Sequence, residues 1–534
     1  MGSRNIALAG FMASGKTTVG KIISELMGIP FIDTDEAVEA SAGMSIAQIF
    51  SKGGEQLFRR LEEEVITEVA RRERRVIALG GGAVLKEKNL QALKENSYIY
   101  LLEVSSEEAL RRATGTSSRP LLKSSKGARQ LLLERREAYL EAADRVIDTA
   151  SRNPLEVARE IELDYRARSL GEGVTAVPVE LGARSYPVFI GRRLLDRADS
   201  ILAGTAASRA LIISDDIVKG LYASRLSASL EKLGLDVRIL DFPHGEVSKS
   251  LDAARLLIER VADAGANRSD LILALGGGVT GDLAGFVAST FKRGLRFVQV
   301  PTTLMAQVDS SIGGKTGVNL EQGKNLVGTF YQPDAVICDV EVLATLKVRE
   351  ARSGMAEVAK YSFLDPGDWP PPGSLIPNGD VELDEMARAV ARCVAMKADV
   401  VSEDELDVGR RAILNYGHTL GHALEAATDY SGEYTHGEAV AVGMVFAALV
   451  SEELGLAKGL AARHMETLAT FDLPTAPIEP APNFGELMLL IAQDKKSKGD
   501  AVMVLLEEEG RPVVRVGIEP GLLEAVYDRL RRQG

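Results

Sequence analysis

One glycine-rich run constrains the start of this chain more tightly than anything else in it. Gly10-Phe11-Met12-Ala13-Ser14-Gly15-Lys16-Thr17 places glycine, four spacers, glycine, lysine and threonine in succession, the spacing of a loop that cradles phosphates between a strand and a helix. The flanks agree. Asn5 to Ala9 is short and apolar, as a buried strand is, and Val19, Ile22, Ile23 and Leu26 recur at helical spacing until Gly28 stops them. Backbone N–H groups from Gly10 to Gly15, Ser14 included, are expected to face a nucleotide's phosphates. Lys16 would reach the β- and γ-phosphates, and Thr17 would take magnesium.

The next stretches add acids, glycines and arginines. Pro30-Phe31-Ile32 reads as a strand ending in Asp33-Thr34-Asp35, two acids able to hold magnesium through water and to accept a substrate hydroxyl. Phe58-Arg59-Arg60-Leu61-Glu62 offers a guanidinium to a carboxylate, or is a solvated helix face. Val76 to Leu79 is another apolar strand, entering Gly80-Gly81-Gly82, where backbone can approach a ligand closely. Arg111-Arg112 and Arg119-Pro120-Leu121-Leu122 bracket a small, polar stretch suited to a lid that carries an arginine to a transferring phosphoryl group. Glu134-Arg135-Arg136-Glu137-Ala138-Tyr139 closes the set.

Over roughly residues 1–166 these motifs together resemble shikimate kinase. The resemblance implies that Asp35, Arg59, Gly81, Gly82 and Arg135 bind shikimate, the arginines gripping its carboxylate. It implies that Gly10, Ser14, Gly15, Lys16, Thr17, Thr18, Asp33, Arg112 and Arg119 serve ATP and magnesium. Lys16 and Arg119 would stabilise the transferring phosphoryl group, and Asp35 would orient or deprotonate the attacking hydroxyl. The stretch between Arg119 and Arg135 is shorter than the family leads one to expect.

Asn153-Pro154 starts an amphipathic helix that Ser169-Leu170-Gly171-Glu172-Gly173 breaks, which puts one domain at 1–168 and the next from 174. Apolar runs at 177–181, 186–190, 210–213, 237–240, 271–275 and 297–300 then alternate with helical patterns. That alternation predicts a doubly wound α/β sheet over 174–344 with ligands at the carboxyl ends of its strands. Gly276-Gly277-Gly278 opening a helix is a generic pyrophosphate approach. The run from Pro301 to Gly317 is small, polar and charged, more like a binding surface than a core. From 345 to 534 helical signatures take over. The expected fold class is therefore α/β: a P-loop domain with a parallel sheet, a Rossmann-like nucleotide domain, then an all-helical metal-binding domain.

Chemistry concentrates at Asn415-Tyr416-Gly417-His418-Thr419-Leu420-Gly421-His422, where two of only five histidines stand four residues apart. His436 follows, and Glu357 lies upstream in Gly354-Met355-Ala356-Glu357-Val358-Ala359-Lys360. Histidines and a carboxylate with room for an oxygen ligand form a catalytic zinc set; two satisfied imidazoles facing a cleft are the plainer reading. This half resembles 3-dehydroquinate synthase over about residues 174–534. The resemblance implies zinc (or cobalt) on Glu357, His418 and His436, with His422 turned to the substrate. It implies NAD at Asp215, Glu246, Lys249, Gly277, Gly278, Asp282, Thr302, Thr303, Lys324 and Thr345. The substrate, a seven-carbon phosphorylated sugar acid, would meet Asp309, Lys315, Asn325, Lys360, Lys397, Arg411, Asn415 and His422, and one of Lys495 and Lys496. Lys315, Lys360, Lys397 and His422 would act in the chemistry. Arg293 would reach the phosphate from a second subunit, since the family forms dimers. The implied reaction oxidises the substrate with bound NAD⁺, eliminates phosphate, re-reduces the ketone and closes the ring. Two departures are Ile217, where a polar residue is expected, and the Pro/Gly-rich stretch Leu364 to Gly379, which reads as an inert surface loop.

Bulk properties set the remaining limits. A net charge of −13 opposes nucleic-acid binding, which basic patches drive. The longest apolar run, Ala439 to Val450, is too short to span a bilayer. Two cysteines form no disulfide framework and the start carries no leader pattern, so a cytoplasmic enzyme of small-molecule substrates, without membrane partners, is expected. A polyol dehydrogenase shares the sheet-then-helices plan, but a neutral polyol needs no cluster of lysines. A retained scaffold would not be expected to keep Lys16, Asp35, Glu357, His418 and His436 together.

Overall fold

Five short strands organise the first part of the chain. β1 (Asn5–Ala9), β2 (Phe31–Asp33), β3 (Val76–Ala78), β4 (Ser97–Glu103) and β5 (Arg145–Asp148) form one sheet in the order β2-β3-β1-β4-β5, every pair parallel. Parallel sheets are covered on both faces, so their strands are apolar throughout, and β1 is buried at all five positions. Ile6 and Leu8 pack with Val19, Ile23 and Ile161, while Ala7 and Ala9 pack with Val38, Ile66 and Leu93. After β1 the chain builds outward on one side through β2 and β3, then on the other through β4 and β5. Such a reversal leaves a crevice at the strand's carboxyl end, and the 10–16 turn occupies it. The computed structural model describes residues 4–113, 125–375, 382–428, 432–494 and 502–532.

The chain divides into two compact units, Met1–Ser169 and Leu170–Gly534. In the second, β6 (Thr175–Val179), β7 (Tyr186–Gly191), β8 (Arg209–Asp215), β9 (Asp236–Phe242), β10 (Leu271–Gly276) and β11 (Arg296–Pro301) lie at the positions read from the sequence, within two residues at each end. Three further strands follow: β12 (Lys315–Leu320), β13 (Gly323–Phe330) and β14 (Ala335–Asp339). The sheet order is β6-β7-β14-β11-β10-β8-β9, parallel except for the β6–β7 edge pair. Its switch point lies between β8 and β10. The hairpin β12–β13 stands outside this sheet. It was not legible because most of β13 is exposed and carries no apolar alternation.

Helices dominate after β14. Val348–Leu364, Leu383–Glu403, His418–Ala427 and His436–Glu453 are the ones that carry the site. The last is buried at every position from Ala439 to Ser451, the mark of a helix at the centre of a core. This helical part also holds an antiparallel hairpin, β15 (Val502–Leu506) with β16 (Pro512–Val516); a short apolar run such as Val502–Leu506 does not declare strand or helix by periodicity. The stretch after Leu364 is tied down: Arg392 lies 4.7 Å over the Trp369 ring and bonds the Asp368 carbonyl and the Asp365 carboxylate. Among the described residues no helix is long and apolar enough to cross a membrane.

Candidate active sites

In the first unit the loop after β1 is shaped for an anion. Gly10, Ala13 and Gly15 all have positive φ, the alternation that turns successive N–H groups into one concavity. Lys16 folds back onto the carbonyls of Gly10 and Phe11 at 2.8 and 3.0 Å. Ser14 is buried with its hydroxyl unpartnered. Thr17 donates to Asp33 at 2.8 Å, and Asp33 in turn caps the next helix by accepting from the Asp35 N–H at 3.0 Å.

Asp35 and Arg59 meet at the triple glycine. A Cβ on Gly80 would lie 2.6 Å from the Asp35 carboxylate, and one on Gly82 would lie 2.7 Å from the Arg59 guanidinium. Arg59 is held by Glu55 and by Glu62, the latter at 2.7 Å. Glu62 is buried; burial lifts its pKa although Arg59 pulls the other way. Arg135 donates to the Gly81 carbonyl at 3.3 Å, whereas Arg136 pairs with Glu103. Arg112 bonds Glu108 and the Thr149 carbonyl. Arg119 lies outside the described residues.

The second unit holds a cleft of about 1190 Å³. It is lined by Asp215 from the end of β8, Glu246 and Lys249 beyond β9, Gly277, Gly278 and Asp282 beyond β10, and Thr303 beyond β11. Lys324, Asn325, Asp309, His422 and His436 line it as well, as does Ile217. Gly277 precedes the helix Gly278–Thr290 without any side-chain cap, so that helix presents its first N–H groups to the cleft. Lys249 ion-pairs with Asp282 and bonds Asn325. Thr302 and Thr345 are not among the lining residues. The Thr345 hydroxyl is committed to Tyr222 at 2.6 Å and to the Val342 carbonyl.

Behind the cleft the cations are paired rather than exposed to it. Lys397 is buried and holds Asp309 at 2.7 Å, and Tyr361 donates to the same carboxylate at 3.0 Å. Burial, with the charge of Arg411 behind it, lowers Lys397 to about 8 against the opposing pull of Asp309. Arg411 is buried on the carbonyls of Gly313 and Glu405. Lys315 pairs with Asp407, and Asn415 is exposed. Arg293 is exposed with φ of 64°. Lys495 and Lys496 lie outside the described residues.

Glu357, His418 and His436 converge from three helices. Glu357 is fully buried. Its Oε2 meets the Lys360 ammonium, but its Oε1 has no hydrogen bond. The Nε2 atoms of His418 and His436 lie 3.6 and 3.8 Å from that oxygen. These separations are too long for hydrogen bonds and leave room for an ion on three ligand atoms. Burial, then the charge of Lys360, drives the His418 pKa well below normal, so its imidazole is neutral as a ligand must be. The residues fit a zinc-type ion. His422 stacks edge-on to His418 with centroids 5.3 Å apart. Sequence reasoning missed Glu62, Tyr361, Asp407 and Glu425 as partners of site residues. Glu62 and Glu425 left a signal, each three residues after a site residue, Arg59 and His422, on the same helical face.

Comparison with known proteins agrees with this division. Family models match shikimate kinase over residues 12–165, the N-terminal domain of 3-dehydroquinate synthase over 239–353 and its C-terminal domain over 354–497. The 3-dehydroquinate synthase of Paracoccus denitrificans is 44% identical over 367 residues, covering 67% of this chain and 100% of that protein. That of Halorhodospira halophila is 45% identical over 363 residues, covering 66% and 98%. A solved 2-deoxy-scyllo-inosose synthase, complexed with carbaglucose-6-phosphate, NAD+ and Co2+, superposes with a TM-score of 0.61 at 29% identity, over 66% of this chain and 100% of that one. The chain belongs to the 3-dehydroquinate synthase family through its second unit and carries a shikimate kinase domain as its first, an enzyme of two activities in the shikimate pathway.

Proposed function

We propose that the first unit transfers the γ-phosphoryl group of ATP to shikimate, and that the second converts 3-deoxy-D-arabino-heptulosonate 7-phosphate to 3-dehydroquinate with release of phosphate. The observation that carries the second assignment is the convergence of Glu357, His418 and His436 beside a cleft that Gly277 and Gly278 line.

In the first unit the 10–15 backbone would hold the phosphates, and Lys16 would exchange the Gly10 and Phe11 carbonyls for phosphate oxygens. Thr17 and Asp33, bonded to each other, would hold magnesium. Arg59 and Arg135 would grip the shikimate carboxylate, with Asp35 orienting the accepting hydroxyl and Arg119 neutralising the transferring group. Arg112 would flank the adenine.

In the second unit, Glu357, His418 and His436 would hold zinc or cobalt, and the cleft from Asp215 to Thr303 would hold NAD. When bound, the metal lowers the pKa of the hydroxyl being oxidised and NAD takes a hydride that it returns in the same turnover. Lys360 and Lys397 supply positive charge for the substrate's anionic groups, and Asp309, fixed by Lys397 and Tyr361, orients a hydroxyl. Lys324 and Asn325 stand at the cleft, while Lys315, Arg411 and Asn415 would complete the substrate site. An exposed Arg293 that does not line its own chain's cleft suits a homodimer in which it serves a second subunit. Two buried, unpaired cysteines suit a reducing, cytoplasmic setting.

One pair of assays tests both halves. The heptulosonate phosphate with NAD⁺ and zinc should release phosphate without net NADH, and ATP with shikimate should give ADP. Net NADH from a neutral polyol would instead make the second unit a dehydrogenase. Silence in both assays would leave a binding scaffold.

A further inference from the structure

The metal reading above gives His436 one task, but its ring makes two contacts on opposite edges. Its Nε2 faces Glu357 at 3.8 Å, and its Nδ1 lies 2.9 Å from a carboxylate oxygen of Glu425. An ionised carboxylate only accepts hydrogen bonds, so Nδ1 carries a proton and Nε2 is the nitrogen left to face Glu357. His418 is fixed in the same sense by a backbone group, its Nδ1 lying 3.1 Å from the Tyr416 carbonyl. Both imidazoles are therefore set with Nε2 toward Glu357.

A rival arrangement exists on the same residues. His422, Glu425 and His436 also bring one ligand atom each within 4.8 Å of one another. In that arrangement Glu425 would be a ligand itself. The two sets share His436 and compete for it. Glu357 decides between them: it is buried with an oxygen that nothing hydrogen-bonds, whereas the Glu425 carboxylate already accepts from His436. An ion is needed at the first set and not at the second.

We propose that Glu425 is a positioning residue for the metal, locking His436 in the tautomer and orientation that present Nε2 beside Glu357 and His418. The inference rests on the metal reading proposed above. The helix His418–Ala427 would then serve the site twice, directly through His418 and through His436 by way of Glu425. Outer carboxylates on ligating histidines typically contribute about 10- to 100-fold in metal affinity.

The test uses the full chain stripped of metal and titrated with zinc against a chromophoric chelator, without substrates. Glu425→Ala is expected to weaken zinc about 10- to 100-fold. Glu425→Gln, which still accepts from Nδ1, should recover part of that loss. Glu357→Ala and His418→Ala should abolish tight binding. At saturating cobalt the Glu425→Ala protein should keep the wild-type visible spectrum, because its ligand set is unchanged, a readout that general loosening of the fold would not preserve. Wild-type zinc affinity in Glu425→Ala overturns the inference and leaves the metal site standing. Tight binding that survives Glu357→Ala but is lost in Glu425→Ala overturns it too, by making Glu425 a ligand. A wild-type protein that takes up no zinc removes the metal reading and the inference together.

Discussion

At the scale of single residues, the two histidines one turn apart do different work although the sequence presents them alike. His418 points Nε2 at Glu357, while His422 lines the cleft. His418→Ala should therefore strip zinc, and His422→Ala should retain it yet lose turnover by orders of magnitude. Metal analysis beside kcat separates these; equal metal loss in both variants would mean that the pair chelates together. Lys397 gives a pH prediction. Its pKa of about 8 means that the ammonium is present below that pH and lost as pH rises through it. KM for the anionic substrate should then climb severalfold between about pH 7.5 and pH 9.5, with shikimate phosphorylation unaffected. Lys397→Arg, which stays charged, should remove the climb; a wild-type KM that is flat over this range would contradict the assignment. The identities of these residues were readable in the sequence. Their differences were not, since burial and partner distance set both roles.

At the scale of elements, the site exists because three helices approach unusually closely. Helix His436–Glu453 lies against His418–Ala427 at Gly443, where a Cβ would sit 1.9 Å from the Gly417 carbonyl oxygen, and against Val348–Leu364 at Gly437, where a Cβ would sit 2.0 Å from that of Ser353. Backbone cannot yield as a flexible side chain can, so any larger residue must part the helices. Gly443→Ala should cost about 1–3 kcal/mol of stability in the second unit and weaken zinc with it, as calorimetry and metal titration would show. Unchanged zinc affinity in that variant would mean that the helix spacing does not set the ligand geometry. The glycine positions stand in the sequence, but an interior glycine in a helix reads as a mild defect until its neighbour is seen. The exposed hairpin β12–β13 and the β15–β16 hairpin were hidden for a related reason, because their partners, not their periodicity, make them strands.

At the scale of the whole molecule, each unit has its own sheet, core and site. Independent catalysis is the expectation: Lys16→Ala in the full chain should abolish ADP formation from ATP and shikimate while phosphate release by the second unit stays within about twofold, the margin expected of an independent site. A large loss of both activities in steady-state assays would show coupling. The proposed reactions agree, because the product proposed for the second unit is not the substrate proposed for the first. The sequence by itself determined the class of fold and the chemical inventory. The strand–loop–helix at Gly10–Thr17, the βα alternation before 345 and the histidine–carboxylate set are local patterns, and backbone sterics and side-chain periodicity act locally. What only the tertiary structure decided is which groups face one another. Glu357 with His418 and His436, Asp309 with Lys397 and Tyr361, and Arg135 with Gly81 are pairings across packed elements. Protonation, tautomer and the space for an ion depend on distance and burial, and those come into being only when the helices and sheets have closed on each other.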